Sequence, residues 1–191
     1  MSAKDNIITL PDDQLRQKSK KVGALSDQVL KIIGDMKAAT IDWENSREHE
    51  LGVALAAVQI GDLESIIIIR NNFDDKDDKS FSVFINPEII SCDGDLEEDY
   101  EGCLSVTNIY GLVPRYPKVR LRAKDEHGQE VRIRAEGFLA RVFQHEIDHV
   151  NGKMFVDHLR GNKTAFYKLT REGKLESVDY EKVRATGIFR D

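Results

Sequence analysis

Cysteine is scarce: Cys92 and Cys103 are the only two in 191 residues. Two thiols cannot staple a chain of this size, so a disulfide scaffold is excluded and each thiol is read on its own merits. Cys92 lies in the turn-rich stretch Ser91-Cys92-Asp93-Gly94-Asp95 and reads as an ordinary free thiol. Long apolar runs are missing as well. Segments such as Ser65-Ile66-Ile67-Ile68-Ile69 fall far short of the roughly 20 residues that a membrane helix needs. Met1 to Asn6 leads into no apolar stretch with a small-residue cleavage site, so no secretory signal is read and a cytoplasmic location is expected. Positive charge is in deficit. A formal net charge of -6 and a pI near 5.5 exclude a surface wholly given to DNA or to an anionic membrane, and neither is expected as a partner. No repeat, low-complexity linker or compositional break appears, so residues 1–191 read as a single domain with a substantial core.

The patterned segments are of both kinds. Between Leu25 and Ile41, apolar residues at Val29, Ile32, Ile33, Met36 and Ile41 keep near-helical spacing behind a Ser26 N-cap, which predicts an amphipathic helix. Ser65 to Arg70 is a β-branched run that fits a buried strand, and Asn71 to Ser80 is polar enough to be a loop. Phe81 to Ile90 reads as a strand, with Pro87 arguing for a sheet edge or strand end. Val119 to Ala123 and Val131 to Ala135 alternate with period two around the turn Asp125-Glu126-His127-Gly128, predicting a hairpin with one wet face. From Phe138, apolar residues at Leu139, Val142, Phe143, Ile147 and Val150 restore the helical period, and Gly152 offers a stop. Helices mixed with antiparallel strands and hairpins make an α+β fold, with the second helix at its centre.

That central helix carries His145-Glu146-Ile147-Asp148-His149. A four-residue spacing sets both imidazoles on one helical face, one turn apart, so both can close on a single metal. Glu146 can reach a water in the metal's shell without being a ligand, which suits a general base. A catalytic site of this kind usually has three protein ligands, so one must come from elsewhere. Cys103 in Glu101-Gly102-Cys103-Leu104-Ser105 leads, because Gly102 permits close backbone approach. His49 and His127 lie in charged or turn segments that read as solvated, whereas His158, nine residues beyond His149, remains a rival. Glu101, Arg115 and Asp148 fit equally as a network orienting the ligands or as surface ion pairs. Gln59, taken alone, is a satisfied polar side chain after an apolar run.

Three of these segments resemble the motifs of the peptide deformylases. Gly52-Val53-Ala54-Leu55-Ala56-Ala57-Val58-Gln59 matches GxGLAAxQ except at Ala54, while Glu101 to Ser105 and Gln144 to His149 match EGCLS and QHExDH intact. The likeness runs from Ile7-Ile8-Thr9 through Val113-Pro114-Arg115 to Lys153-Met154-Phe155, about four-fifths of the chain. The resemblance implies a metal-dependent hydrolase that removes the N-formyl group from the formylmethionine of nascent polypeptides and releases formate. It implies that Cys103, His145 and His149 hold one divalent ion, Fe2+ natively, with Zn2+, Ni2+ or Co2+ as substitutes. Glu146 would move the proton, and the backbone N–H of Leu104 with the side-chain amide of Gln59 would stabilise the developing oxyanion. Substrate would meet Val53, Ala54, Leu55, Gly102, Tyr110, Phe138, Val142 and the stem of Arg141, and its backbone would add as a strand to Val53-Ala54 or Tyr110-Gly111.

Some features depart from the family pattern. Ala54 brings a Cβ where relatives have glycine, which would disfavour positive φ, and Thr107 stands where many have proline. A divergent tail from about residue 160 carries Arg160, Lys163, Lys168, Arg171 and Lys174, and reads as a solvated amphipathic helix or strand ahead of a contact with ribosomal RNA near the exit tunnel. The rival readings are an HExxH-type zinc endopeptidase and a deformylase-like protein that binds N-termini with little turnover.

Overall fold

A computed structural model describes residues 2–189. Helix α1 (Asp27–Asn45) begins where Ser26 Oγ accepts from the Val29 N–H at 3.4 Å. Its buried Val29, Ile32, Ile33 and Met36 form one stripe, as their spacing predicts. The helix runs four residues past Ile41, and two polar residues, Thr40 and Glu44, occupy its buried face in the last turns. There follow β1 (Ala54–Ala56), a 3-10 turn (Ala57–Ile60), β2 (Ile66–Arg70) and β3 (Phe81–Asp93). Strands β4 (Glu97–Cys103), β5 (Val106–Arg115), β6 (Lys118–Lys124) and β7 (Glu130–Glu136) then lead into α2 (Gly137–Val150). Strands β8 (Phe166–Leu169) and β9 (Leu175–Ser177) and helix α3 (Tyr180–Ala185) complete the α+β fold.

Two antiparallel sheets result, ordered β1-β2-β3-β6-β7 and β4-β5-β8-β9. Strand β2 is buried on both faces, which its unbroken β-branched run demands. Ile66 and Ile68 pack with Leu55, Val83 and the α1 stripe, while Ile67 and Ile69 pack with Val142, Phe143, Ile147 and Val150 of α2. The first sheet is therefore covered by a helix on each side. Gly152 ends the second helix at φ +73, and a Cβ there would also meet the Arg16 carbonyl oxygen at 2.5 Å, so glycine is required twice over.

The structure refines these expectations. Pro87 falls where β3 loses a neighbour: its ladder with β2 ends at Ile85 and only β6 flanks it beyond, while the β6 ladder itself skips from Ile85 to Glu88 and Asn86, at φ +54, forms a bulge beside the missing N–H. Asn86 is held by its side chain, which bonds both the N–H and the carbonyl of Val22. Cys92 lies in the last turn-ward residues of β3 rather than in a turn. The tail forms an amphipathic strand and helix, but its apolar face is docked rather than solvated. Strand β8 pairs with β5 through Gly111 and Phe166, and Phe166, Val183 and Ile188 are buried with Leu15 and Phe155, while the basic residues face outward.

Candidate metal centre

Strands β4 and β5 are joined by a tight turn in which Cys103 pairs with Val106, so the thiol stands at the tip of a hairpin. The hairpin delivers it to the face of α2 that carries the two histidines. One ligand atom each from Cys103, His145 and His149 lies within 4.8 Å of the others. Cys103 Sγ is 3.3 Å from His149 Nε2, and the two imidazole centroids are 5.0 Å apart. Ligand atoms around one tetrahedral ion would stand about 3.5 Å from each other, given bonds of about 2.1 to 2.3 Å. The donor set therefore fits a single divalent ion after small adjustment.

The other ring nitrogen of His145 is committed. Nδ1 lies 2.9 Å from Glu101 Oε2, which fixes the tautomer and leaves Nε2 for the metal. Glu101 also accepts from Arg115 Nε at 2.9 Å and Nη2 at 3.1 Å, and from Arg141 Nη1 at 2.9 Å. Arg115 continues to Asp148 at 2.5 Å, and Asp148 meets His158 Nε2 at 2.7 Å. These groups form a buried network that orients the ligands, and the surface-pairing reading of Glu101, Arg115 and Asp148 does not apply. His158, bonded to Asp148, is not part of the group formed by Cys103, His145 and His149. His49 and His127 are exposed, the former against the Arg171 carbonyl.

Burial pushes Glu101 up, but the hydrogen bond and charge of His145 and of Arg115 outweigh it and hold the carboxyl well below its usual range. Asp148, pushed up by burial, is likewise brought down by His158 and Arg115. Among the protein groups alone, burial lowers the pKa of His145, yet Cys103 and Glu101 raise it well above an ordinary imidazole. Burial and the neighbouring His145 depress His149. A divalent ion among them would add its own charge and favour deprotonated ligands throughout. Glu146 is raised to about 7, chiefly by burial. Its Oε2 has no protein hydrogen-bond partner among the described residues, and the side chain borders the cleft beside the ligands.

Gln59 closes the site from the opposite side. Its Oε1 accepts from the Ala56 N–H at 2.8 Å, which turns Nε2 toward Cys103 Sγ at 3.5 Å and Ser105 Oγ at 3.1 Å. The cleft, about 280 Å³, is walled by Val53, Ala54, Gly102, Leu104, Tyr110, Phe138, Val142 and the Arg141 stem. Two free sheet edges, β1 and β4, border it.

The family model of polypeptide deformylase matches residues 4–165. A peptide deformylase of Hahella chejuensis is 41% identical over 161 residues, covering 84% of this chain and 90% of that protein. The chain belongs to the peptide deformylase family. A Synechococcus elongatus peptide deformylase, solved with actinonin, superposes with a TM-score of 0.72 at 38% identity over 80% of this chain and 78% of that one. The Plasmodium falciparum peptide deformylase reaches a TM-score of 0.74 at 27% identity, covering 94% of this chain and 91% of that one.

Within this deformylase fold, some expected substrate contacts shift. Leu55 is fully buried against α1, because successive residues of β1 face opposite sides and its neighbours Ala54 and Ala56 face α2. Tyr110 and Gly111 offer no free edge, since β5 is paired on one side by β4 and on the other by β8. Tyr110 acts through its side chain instead: its hydroxyl donates to Glu50 Oε1 at 2.8 Å, and its ring lies 2.6 Å from where a Cβ on Gly102 would stand. Gly102 is thus required for this approach. The Arg141 guanidinium turns inward to Glu101 and the carbonyls of Val113 and Glu97. Ala54 sits in an extended strand, so its Cβ costs nothing in φ and enters the apolar cluster under α2. Of the two readings of Glu101, Arg115 and Asp148, the structure shows the network, and it adds Arg141 and His158, which the motifs do not place there.

Proposed function

We propose that Cys103, His145 and His149 hold one divalent ion, that Glu146 is the general acid–base, and that Gln59 and Leu104 stabilise the oxyanion in deformylation. The chain hydrolyses the formyl amide of N-terminal formylmethionine in nascent polypeptides, giving formate and a free amine. A divalent ion held by these ligands supplies electrophilic activation of the formyl group and of water. Glu146 accepts a proton from the attacking water as the C–O bond forms, and its elevated pKa of about 7 suits both taking and returning it. As the C–N bond breaks, the same carboxyl donates to the departing nitrogen. Negative charge gathers on the formyl oxygen, where the Gln59 amide and the Leu104 N–H are ready donors.

The β1 edge supplies the peptide grip. Arg70 N–H donates to the Val53 carbonyl, so the alternate residue Ala54 turns its own N–H and C=O away from β2 and toward the cleft. Val53, Phe138, Val142 and the Arg141 stem offer the apolar surface for a methionine side chain. The observation that carries the reading is the meeting of thiol, two imidazoles and an unpartnered carboxylate oxygen in one cleft. Endopeptidase and mere-binder readings are not favoured: the former leaves Cys103 and Gln59 without use, and the latter leaves Glu146 idle.

Iron is the proposed native metal, with zinc, nickel or cobalt able to substitute, since a thiolate and two imidazoles suit each of them. We place the enzyme in the cytoplasm, where nascent chains are met; no helix among the described residues is long and apolar enough to cross a membrane. Docking near the ribosomal exit tunnel is supported by the outer face of β6 and β7, where Arg120 stands opposite Arg134 and Arg122 opposite Arg132. Anaerobic assay of formyl-Met-Ala-Ser with added Fe2+ tests the function. Stoichiometric formate release is expected, and internal cleavage or binding without product would overturn it.

A further inference from the structure

The mechanism leaves one buried charge cluster unused, at the C-terminal end of α1. Glu44 and Arg70 are ion-paired with both side chains fully buried. Such a pair is poor as a source of stability, because apolar residues of similar volume often do as well. What it grips is more telling. Glu44 Oε2 accepts from the Gly52 N–H at 2.9 Å, and Arg70 Nε donates to the Gly52 carbonyl at 3.1 Å. Arg70 Nη1 takes the Asp78 carbonyl at 2.5 Å, and Lys79 pairs with the remaining Glu44 oxygen. Both polar groups of Gly52 are thus pinned by one ion pair, and a Cβ on Gly52 would lie 2.7 Å from Thr40 Cγ2 and 2.9 Å from the Thr40 carbonyl oxygen. The backbone N–H of Arg70 holds the next residue, Val53, at 2.8 Å. Ala54, with its free N–H and C=O, follows directly.

We infer that Glu44 and Arg70 are positioning residues for substrate: they clamp the Gly52 peptide against α1 and thereby set the place of the free β1 edge that pairs with the peptide chain. The inference rests on the reading of β1 as that edge. The clamp acts on residues of the substrate beyond the formyl group, so its loss should be felt by long substrates and spared by short ones. A lysine at position 70 keeps the charge but lacks the planar fork that reaches Gly52 and Glu44 together.

The test compares kcat/KM for formyl-Met-Ala-Ser with that for formyl-methionine amide, in the iron-loaded full chain and its Arg70→Lys variant. Metal content and melting temperature are measured alongside. The ratio of the two values should exceed one in the unaltered protein and fall about tenfold in Arg70→Lys, with metal content unchanged. Gly52→Ala moves the same backbone while leaving the ion pair in place, and the same fall in ratio is expected there. A ratio near one in the unaltered protein would sink the edge reading and the clamp with it. A preference for the longer substrate that survives both substitutions would leave the edge standing and refute the clamp alone, whatever happens to the melting temperature.

Discussion

Replacing Glu101 by glutamine removes one negative charge from a pocket that contains two guanidinium groups. The Glu101 side chain is 4% exposed and accepts from Arg115 twice, from Arg141 and from His145 Nδ1. Glutamine retains one acceptor oxygen, but its amide hydrogens would point at donors. Asp148 still partners Arg115, whereas Arg141 is left with backbone carbonyls alone. Breaking a buried pair in this way costs about 3 to 5 kcal/mol. With a guanidinium m-value of about 4 kcal/mol per molar, the unfolding midpoint of metal-free protein should fall by about 1 M. The loss of a carboxylate behind a ligating histidine should also weaken metal binding by about 10- to 100-fold. Denaturation followed by circular dichroism and competition with a chromophoric chelator give the two values. A midpoint moved by less than about 0.2 M, with metal affinity intact, would falsify the account of Glu101 as the counter-charge of this site.

Gln59→Ala should lower kcat by about two to three orders of magnitude while metal stoichiometry by elemental analysis is unchanged; a fall caused by metal loss would count against an oxyanion role. Glu44 is pushed up by burial but brought net below its usual value by Lys79, the Gly52 N–H and the charge of Arg70. A depressed carboxyl stabilises the fold above its unfolded pKa of about 4.3 and loses that contribution as pH falls through the folded value, so Glu44→Gln should flatten the acid limb below about pH 5 in thermal melts. Parallel acid limbs would contradict this. Phe166→Ala, in the tail, should cost about 3 to 5 kcal/mol and lower the melting temperature by roughly 10 °C in one cooperative transition, as expected if residues 1–191 form one domain; a separate early transition would argue for a detached tail. Chelation of a metal present at about a thousand times its Kd should remove about 4 kcal/mol, a drop of roughly 8 to 16 °C by calorimetry.

The parts of the fold legible in the sequence are those whose contacts are periodic and local. The α1 stripe, the β6–β7 hairpin and the HExxH helix each repeat a spacing, and spacing survives without knowledge of neighbours. The end of α1 was hidden because Thr40 and Glu44 fill interior positions with polar side chains, and only Arg70, 26 residues on, explains why a buried carboxylate is tolerated. The bulge beside Pro87 is hidden for a similar reason: it is anchored by Asn86 on Val22, 64 residues away. Glu101 gathers Arg115, Arg141 and His145 from 14, 40 and 44 residues along the chain, and no local pattern announces such a meeting. The motif alone places Leu55 at the cleft, yet a strand of three residues shows only alternate side chains to either face.

The same distances explain why the site lies where it does. Cys103 belongs to a hairpin of the second sheet, while His145 and His149 belong to a helix packed on the first. Neither sheet holds a complete ligand set, so the metal centre exists only where the two sheets dock. Glu101 and Arg115 come from β4 and β5 and pair with Asp148, Arg141 and His145 of α2 at the same seam, so charge pairing ties the thiol-bearing hairpin to the imidazole-bearing helix. The cleft opens along that line because each sheet presents an unpaired edge there, β1 from one and β4 from the other. On the proposed reading, an extended peptide entering between them would meet backbone donors and acceptors beside the Cys103, His145 and His149 group. On that same reading, strand edges that would otherwise invite aggregation serve substrate binding, and the register of the peptide chain carries its formyl end to Glu146.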